Sequence, residues 1–205
     1  MTHINSGLTW IIYFNEVLFP LMVSVIYFID TVIFAIFYLY ESNKLKNKIE
    51  WVDTSLAGVF FCVICYPPFN EIASKFIPWE HSEYINFVSP EVTFILRCVV
   101  LALLTIYVTA TINLGAKASN LTYRGVTSTG IYGIVRHPAY VSKVFMWWIV
   151  SIPLFLDYPI FIFNALAWTF IYYMRAITEE KNLSQSPDYI QYCKSVKYKF
   201  IPHLI

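Results

Sequence analysis

Residues 8–40 read LTWIIYFNEVLFPLMVSVIYFIDTVIFAIFYLY, a run of 33 positions in which Glu16 and Asp30 are the only charged side chains. A helix rises about 1.5 Å per residue, so this run would extend roughly 50 Å against a hydrocarbon core of about 30 Å. It predicts a membrane helix near 16–40 with apolar residues to spare. The rest of the chain repeats the signal. Of 205 residues, 58% are hydrophobic, 19% aromatic and only 13% charged, with a mean hydropathy of +0.59 and a net charge of +1. A soluble domain carries about 25% charged residues, so this chain has too few to cover a surface in water. The composition excludes disorder, a collagen-like chain, a disulfide scaffold and a separate soluble catalytic domain. Its near-neutral balance offers nothing to nucleic acid.

Four further apolar segments follow, at about 54–69, 91–112, 139–156 and 159–176. The second is closed by Pro67-Pro68. The last two are separated only by Asp157-Tyr158-Pro159, which dictates an antiparallel helical hairpin. The expected fold is therefore all-α: an integral-membrane bundle of about five helices with a helical C-terminal tail. Residues 1–112 form a three-span part, and 113–205 a connector, hairpin and tail within the same domain. The segment Met1-Thr2-His3-Ile4-Asn5 has neither basic residues nor a cleavage pattern, so the first span is expected to be retained. Cys62 and Cys65, spaced CxxC, lie inside the second apolar run without a second Cys or His pair, and read as small apolar helix residues; no metal is expected.

The basic residues orient this bundle. Lys44, Lys46 and Lys48, then Lys117, Arg124, Arg136 and Lys143, then Arg175, Lys181, Lys194, Lys197 and Lys199 all fall on one side of a five-span arrangement. Only Lys75 and Arg97 fall elsewhere. The positive-inside rule places that side in the cytoplasm, with the N-terminus outside and the C-terminus inside. The 70–90 connector, with Glu71, Trp79, Glu80 and Glu83 among its acids and aromatics, would lie along the outer interface. Asp30, deep in the first span, is expected either to be functional or to pair with Arg97 of the third.

Residues that lipid does not tolerate gather in two places, both on the cytoplasmic side. The first is GVTSTGIYGIVRHPAY, residues 125–140. Pro138 suits the first turn of a helix and biases His137 toward an extended conformation. The helix start then offers free amides and a positive dipole end to an anion. The second is Arg175-Ala176-Ile177-Thr178-Glu179-Glu180-Lys181-Asn182-Leu183, followed by Tyr189 and Tyr192. Arg175 and Glu179 share a helix face. The hairpin should bring the two clusters together. Arg136, His137 and Arg175, the carboxylates Glu179 and Glu180, and the rings of Tyr132 and Tyr140 would suit a ligand bearing both a carboxylate and a cation, such as a sulfonium. A positively charged loop with a helix cap is the plainer reading of the first cluster.

These strings, with the later DYIQYCKSVKYKFIP, resemble the isoprenylcysteine carboxyl methyltransferase family over roughly residues 111–203. The resemblance implies an integral-membrane enzyme that uses S-adenosylmethionine, with phospholipid N-methyltransferases among its relatives. It implies that Arg124, Gly125, Val126, Thr127, Tyr132, Arg136, His137, Pro138, Ala139, Tyr140 and Glu179 surround the cofactor. Arg175 would face the substrate and hold a carboxylate there, and Glu180 or His137 would serve as base if the acceptor were an amine. Two features depart from the family: Arg124 stands where it often has His, and the connector after Leu183 is short and lacks the usual Phe-Gly. The implied partner is a lipophilic or lipidated substrate arriving from the bilayer. A membrane reductase of the sterol type, using NADPH, shares the Arg-His-Pro-x-Tyr run and is the alternative enzyme. A small structural or partner-binding membrane protein is the non-enzymatic one.

Overall fold

A computed structural model of the protein describes residues 6–78 and 82–204; Met1–Asn5, Trp79 and Glu80, singled out above, lie outside the described residues. The chain is mostly helical. Helix α1 (Ser6–Tyr13) runs through a π-helical segment, Phe14–Leu18, into α2 (Phe19–Leu39), so the first apolar run is one helix rather than a span beginning near 16. Two residues explain the widened turns. Pro20 has no amide hydrogen to offer the carbonyl of Glu16. The carbonyl of Asn15 accepts from Arg97 Nη1 at 2.6 Å, while Asn15 Nδ2 donates to the carbonyl of Pro90 at 3.1 Å.

Gly7–Leu39 and Pro90–Lys117 are long and apolar enough to cross a membrane. In the first, only 11% of the apolar window is buried within the protein, so most of its side chains point outward and only a narrow stripe faces the core. The second contains α5 (Pro90–Leu114), whose start matches the expected span and whose N-cap is Ser89. Helix α5 is central. Its Val100, Leu101, Leu104 and Val108, at helical spacing, meet Phe14, Phe19, Val23 and Ile26 on one side and Met146 and Val150 on the other. Close packing of these side chains holds α2, α5 and α6 together.

The second expected span, 54–69, is not one helix. Helix α3 (Leu56–Val63) starts on Ser55, whose Oγ accepts from the Gly58 amide at 3.1 Å, and gives way to turns before the cis Pro67–Pro68 bond and a short α4 (Phe69–Ala73). Neither proline can donate back to the carbonyls of Val63 and Ile64, so the helix has no way to continue. The hairpin is present in modified form. Helix α6 (Pro138–Val150) breaks at Ser151, just ahead of Pro153, and α7 (Ile152–Asp157) completes the arm. The return arm α8 (Phe161–Leu183) runs seven residues past the expected end at 176, because Arg175–Leu183 are good helix formers even where apolarity stops. Helix α9 (Pro187–Ser195) forms the tail.

Two short strands, β1 (Trp51–Val52) and β2 (Thr122–Tyr123), pair antiparallel and tie the 41–55 connector to the one that follows α5. Trp51 stacks on Tyr123 at 4.0 Å and donates through Nε1 to Asn182 Oδ1 at 3.2 Å, anchoring the pair to α8.

Candidate functional site

A cavity of about 570 Å³ lies where α2, α3, α5, α6, α8 and the 117–137 connector converge. The connector is folded by local chemistry. Gly125 has φ +91° and Gly130 φ +62°, and a side chain on Gly130 would run into Asn113, whose Oδ1 accepts from the Ile131 amide at 3.0 Å. Pro138 is the first residue of α6, and His137 before it is non-helical as expected, but with φ −125° and ψ 56° it stops short of the extended conformation its position predicts. The amides of Arg136 and His137 are not free for a ligand: they donate to the carbonyls of Tyr198 and Lys199, which lie as a strap beneath the start of α6.

The hairpin brings the two clusters together. Tyr140 Oη donates to Glu179 Oε2 at 2.7 Å, and both line the cavity with Arg124, Gly125, Val126, Thr127, Tyr132, Arg136, His137, Ala139 and Arg175. Pro138 and Glu180, expected at the site, are not among the lining residues. Pro138 is buried behind the first turn of α6. Glu180 turns toward the strap, with Arg136 Nε at 2.7 Å, Lys199 Nζ at 2.9 Å and His137 Nε2 at 3.2 Å. Burial pushes its carboxyl up, but hydrogen bonds from His137, Lys199 and Arg136 outweigh this and hold it down at about 2. A carboxylate so committed has no proton affinity to offer, so Glu180 is a fastener and not a base. Arg136 spends its guanidinium on the same cluster, donating through Nη1 to the carbonyl of Val196 at 2.7 Å.

Tyr132 is buried, and its phenol is pushed up first by that burial and then by Glu179. Burial does the same to Tyr189 and Tyr192 at the tail. All three therefore stay as neutral hydroxyls, and that of Tyr192 donates to the carbonyl of Tyr132 at 2.8 Å. Arg124 donates to the carbonyls of Phe37 and Asn47 and pairs with Glu41 at 3.4 Å, so it fixes the 41–50 loop as well as bordering the cavity.

Arg175 does not pair with Glu179 one turn away. Its Nη2 donates to Tyr66 Oη at 2.8 Å and Asn120 Oδ1 at 2.7 Å, and its guanidinium faces the rings of Tyr66, Tyr140 and Tyr172 at 4.9–5.9 Å. Asp30 and Arg97 are not partners. Asp30 lines the cavity and accepts from Tyr107 Oη at 2.8 Å and Thr111 Oγ1 at 2.6 Å. Arg97 is spent on the carbonyls of Asn15, Tyr84 and Ile85, the side chain of Asn86 and the face of Phe19. Asp30, on α2, meets α5 at Tyr107 and Thr111, ten and fourteen residues beyond Arg97, so the sequence reading had the right polar residues and the wrong pair.

Sequence reasoning missed Tyr66, Asn120, Lys117 and Lys143 as lining residues. Lys143 carried a signal: it stands three residues beyond Tyr140, on the same face of α6. Tyr66 and Asn120 carried none, because the turn before Pro67 and the loop after α5 come together only in three dimensions.

Fold and site together define a class: a mostly helical chain with two helices long and apolar enough for a bilayer, enclosing a cavity lined by both charged and aromatic side chains. No protein-family model matches this chain, and no curated protein sequence matches it.

Proposed function

We propose that this protein is a five-span integral-membrane methyltransferase that binds S-adenosylmethionine and methylates the carboxylate of a lipophilic acceptor, with N-terminus outside and site and C-terminus in the cytoplasm. One observation carries the reading: Tyr140 and Glu179, on opposite arms of the hairpin, meet at 2.7 Å in a cavity they share with Tyr132, His137 and the turn at Gly125. Its volume falls within the roughly 300–1,000 Å³ of small-molecule sites. In this reading the fourth and fifth crossings fall on residues 138–157, which hold α6 and α7, and on the apolar first part of α8. The turns around 64–68 leave α3 and α4 as a broken second one.

The residues fit the cofactor. Glu179 supplies a carboxylate that no basic side chain within 4.0 Å neutralises among the described residues, and the rings of Tyr132 and Tyr140 supply negative faces; both attract a cation. Thr122 Oγ1, buried at the cavity wall without a hydrogen-bond partner in the protein, is a further polar contact in wait. S-adenosylmethionine, when bound, supplies an electrophilic methyl group on a positive sulfur that departs as a neutral thioether.

The chain's own contribution is placement. Glu179, held by Tyr140, fixes the cationic end of the ligand; His137 and the Gly125–Thr127 backbone border the same space. Arg175, held by Tyr66 and Asn120 and walled by three tyrosine rings, orients an acceptor carboxylate in a site poor in water. A carboxylate is already nucleophilic at neutral pH. An amine acceptor would need a base, and both candidates are engaged: Glu180 in ion pairs and His137 through Nε2 with Glu180 itself. This favours ester over amine formation.

Calorimetry in detergent tests the reading. Wild-type protein should bind S-adenosylmethionine and not NADPH, and Glu179→Ala and His137→Ala should abolish that binding. Transfer of radiolabelled methyl to membrane extracts should give a base-labile product. Unchanged affinity in both variants, or binding of NADPH in place of the sulfonium, would overturn it.

A further inference from the structure

The cavity continues past the Glu179 end to the depth of Asp30, and the charges there do not balance. Lys143 and Arg175 both line this inner lobe, yet among the described residues neither has a carboxylate within 4.0 Å. Arg175 is held by neutral groups only. Lys143 Nζ rests 4.6 Å over the ring of Tyr107. Asp30, the carboxylate lining this lobe, has one oxygen taken by Tyr107 and the other by Thr111. A cation placed at this depth without a paired carboxylate is costly, and such residues face a ligand path by default.

The lobe is also bounded by two helices that leave a gap. Helix α2 contributes Thr31, Phe34 and Ala35 to the wall and α3 contributes Gly58 and Cys62, but α2 packs on α5 while α3 packs on α8, with no more than marginal contact between them. An apolar chain lying between α2 and α3 would reach the cations from the bilayer. At the connector end this gap is bridged by Asn120, which donates to Tyr38 Oη at 2.7 Å and accepts from Tyr66 Oη at 3.0 Å.

We propose that this inner lobe is an anion subsite for the head group of a membrane amphiphile whose tail leaves between α2 and α3, with Lys143 as a head-group ligand beside Arg175. The assignment deepens the methyltransferase reading by giving the acceptor a class, a single-chain anionic amphiphile, and a second specificity residue. Carboxylate and phosphate heads share the chemistry. Lys143 sets which head group is accepted; Arg175 alone would hold it in one direction only.

The experiment uses the full chain in non-ionic detergent, with oleate, oleyl phosphate and oleyl alcohol as probes and S-adenosylmethionine titrated separately. Wild-type protein should bind both anions at least tenfold more tightly than the alcohol, and Lys143→Met should lose about tenfold or more for the anions and nothing for the alcohol, the usual weight of a charge-assisted contact. Lys143→Arg should restore most of the loss. Preference between oleate and oleyl phosphate tells an acid acceptor from a phospholipid-type one. Equal binding of anion and alcohol by the wild type overturns the proposal without any variant having to fold, as does unchanged anion affinity in Lys143→Met. If S-adenosylmethionine fails to bind while anion binding still depends on Lys143, the methyltransferase reading falls and the subsite stands.

Discussion

Replacing Glu180 by Gln removes one charge from a cluster of four side chains and should loosen the strap beneath α6. Arg136 and Glu180 have only 8% and 12% of their side chains exposed, His137 has 6%, and Lys199 is a third exposed. Breaking a buried ion pair by removing one partner costs about 3–5 kcal/mol; the exposure of Lys199 reduces its share, so about 2–4 kcal/mol is expected here. The same contacts act on the titration of Glu180. Lowering the Glu180 carboxyl from its ordinary 4.5 to about 2 corresponds to roughly 3 kcal/mol at neutral pH. Because the folded value is the lower one, that stability is fully present above pH 4.5 and is lost as pH falls toward 2. Thermal unfolding in detergent, followed by tryptophan fluorescence, reads both effects. Glu180→Gln should lower Tm by roughly 5–12 °C at pH 7. The gap to wild type should shrink to about a half or less near pH 3 and nearly close at pH 2. A cost below about 1 kcal/mol at pH 7, or a gap that widens on acidification, would refute the reasoning.

Tyr140→Phe deletes the hydroxyl that holds Glu179 and should weaken S-adenosylmethionine binding by about 5–10-fold in calorimetry, with Tm changed by no more than a few degrees. Arg97→Met strands the carbonyls of Asn15 and Tyr84 and should cost about 2–4 kcal/mol in the same unfolding assay. Combined with Asp30→Asn in a double-mutant cycle, it should show a coupling within about 0.5 kcal/mol, since the two groups have separate partners. Gly130→Ala should destabilise by more than Gly115→Ala: both adopt positive φ, but only at Gly130 would the added carbon meet a neighbour, Asn113, whereas Gly115 opens on empty space. Equal melting points for the two glycine variants would show that the Asn113 contact carries no weight.

Periodicity and proline positions were enough to read α5, the hairpin and the start of α6, because each is written in residues close together in sequence. Pro138 after His137 is the clearest case. Where the reading failed, a distant group decided the local structure. The first helix widens into π-helical turns around Asn15, where Arg97, 82 positions away, takes that residue's carbonyl. Hydropathy could not show that α3 stops early, since Phe61 to Tyr66 are apolar whether helical or not; the two prolines that follow stop it. At the site, residue types spaced along one helix were legible, and Tyr140 with Glu179 came from the hairpin alone. Glu180 was misjudged because its neighbours Lys199 and the strap belong to the tail, whose path nothing local determines. Tyr66 and Asn120 meet Arg175 from two other connectors and leave no pattern to find.

The strap sets an order of events for a chain being made. Arg136 and Val196, joined by one hydrogen bond, are 60 positions apart. A ribosome adding about 5–20 residues per second takes roughly 3–12 s to cover that distance. During that interval α6, α7 and α8 emerge and can reach the bilayer while the loop around Gly125 still lacks its floor. The pocket is therefore completed last, and a nascent chain halted anywhere in α8 would have its helical arms yet be unable to close its own binding chamber.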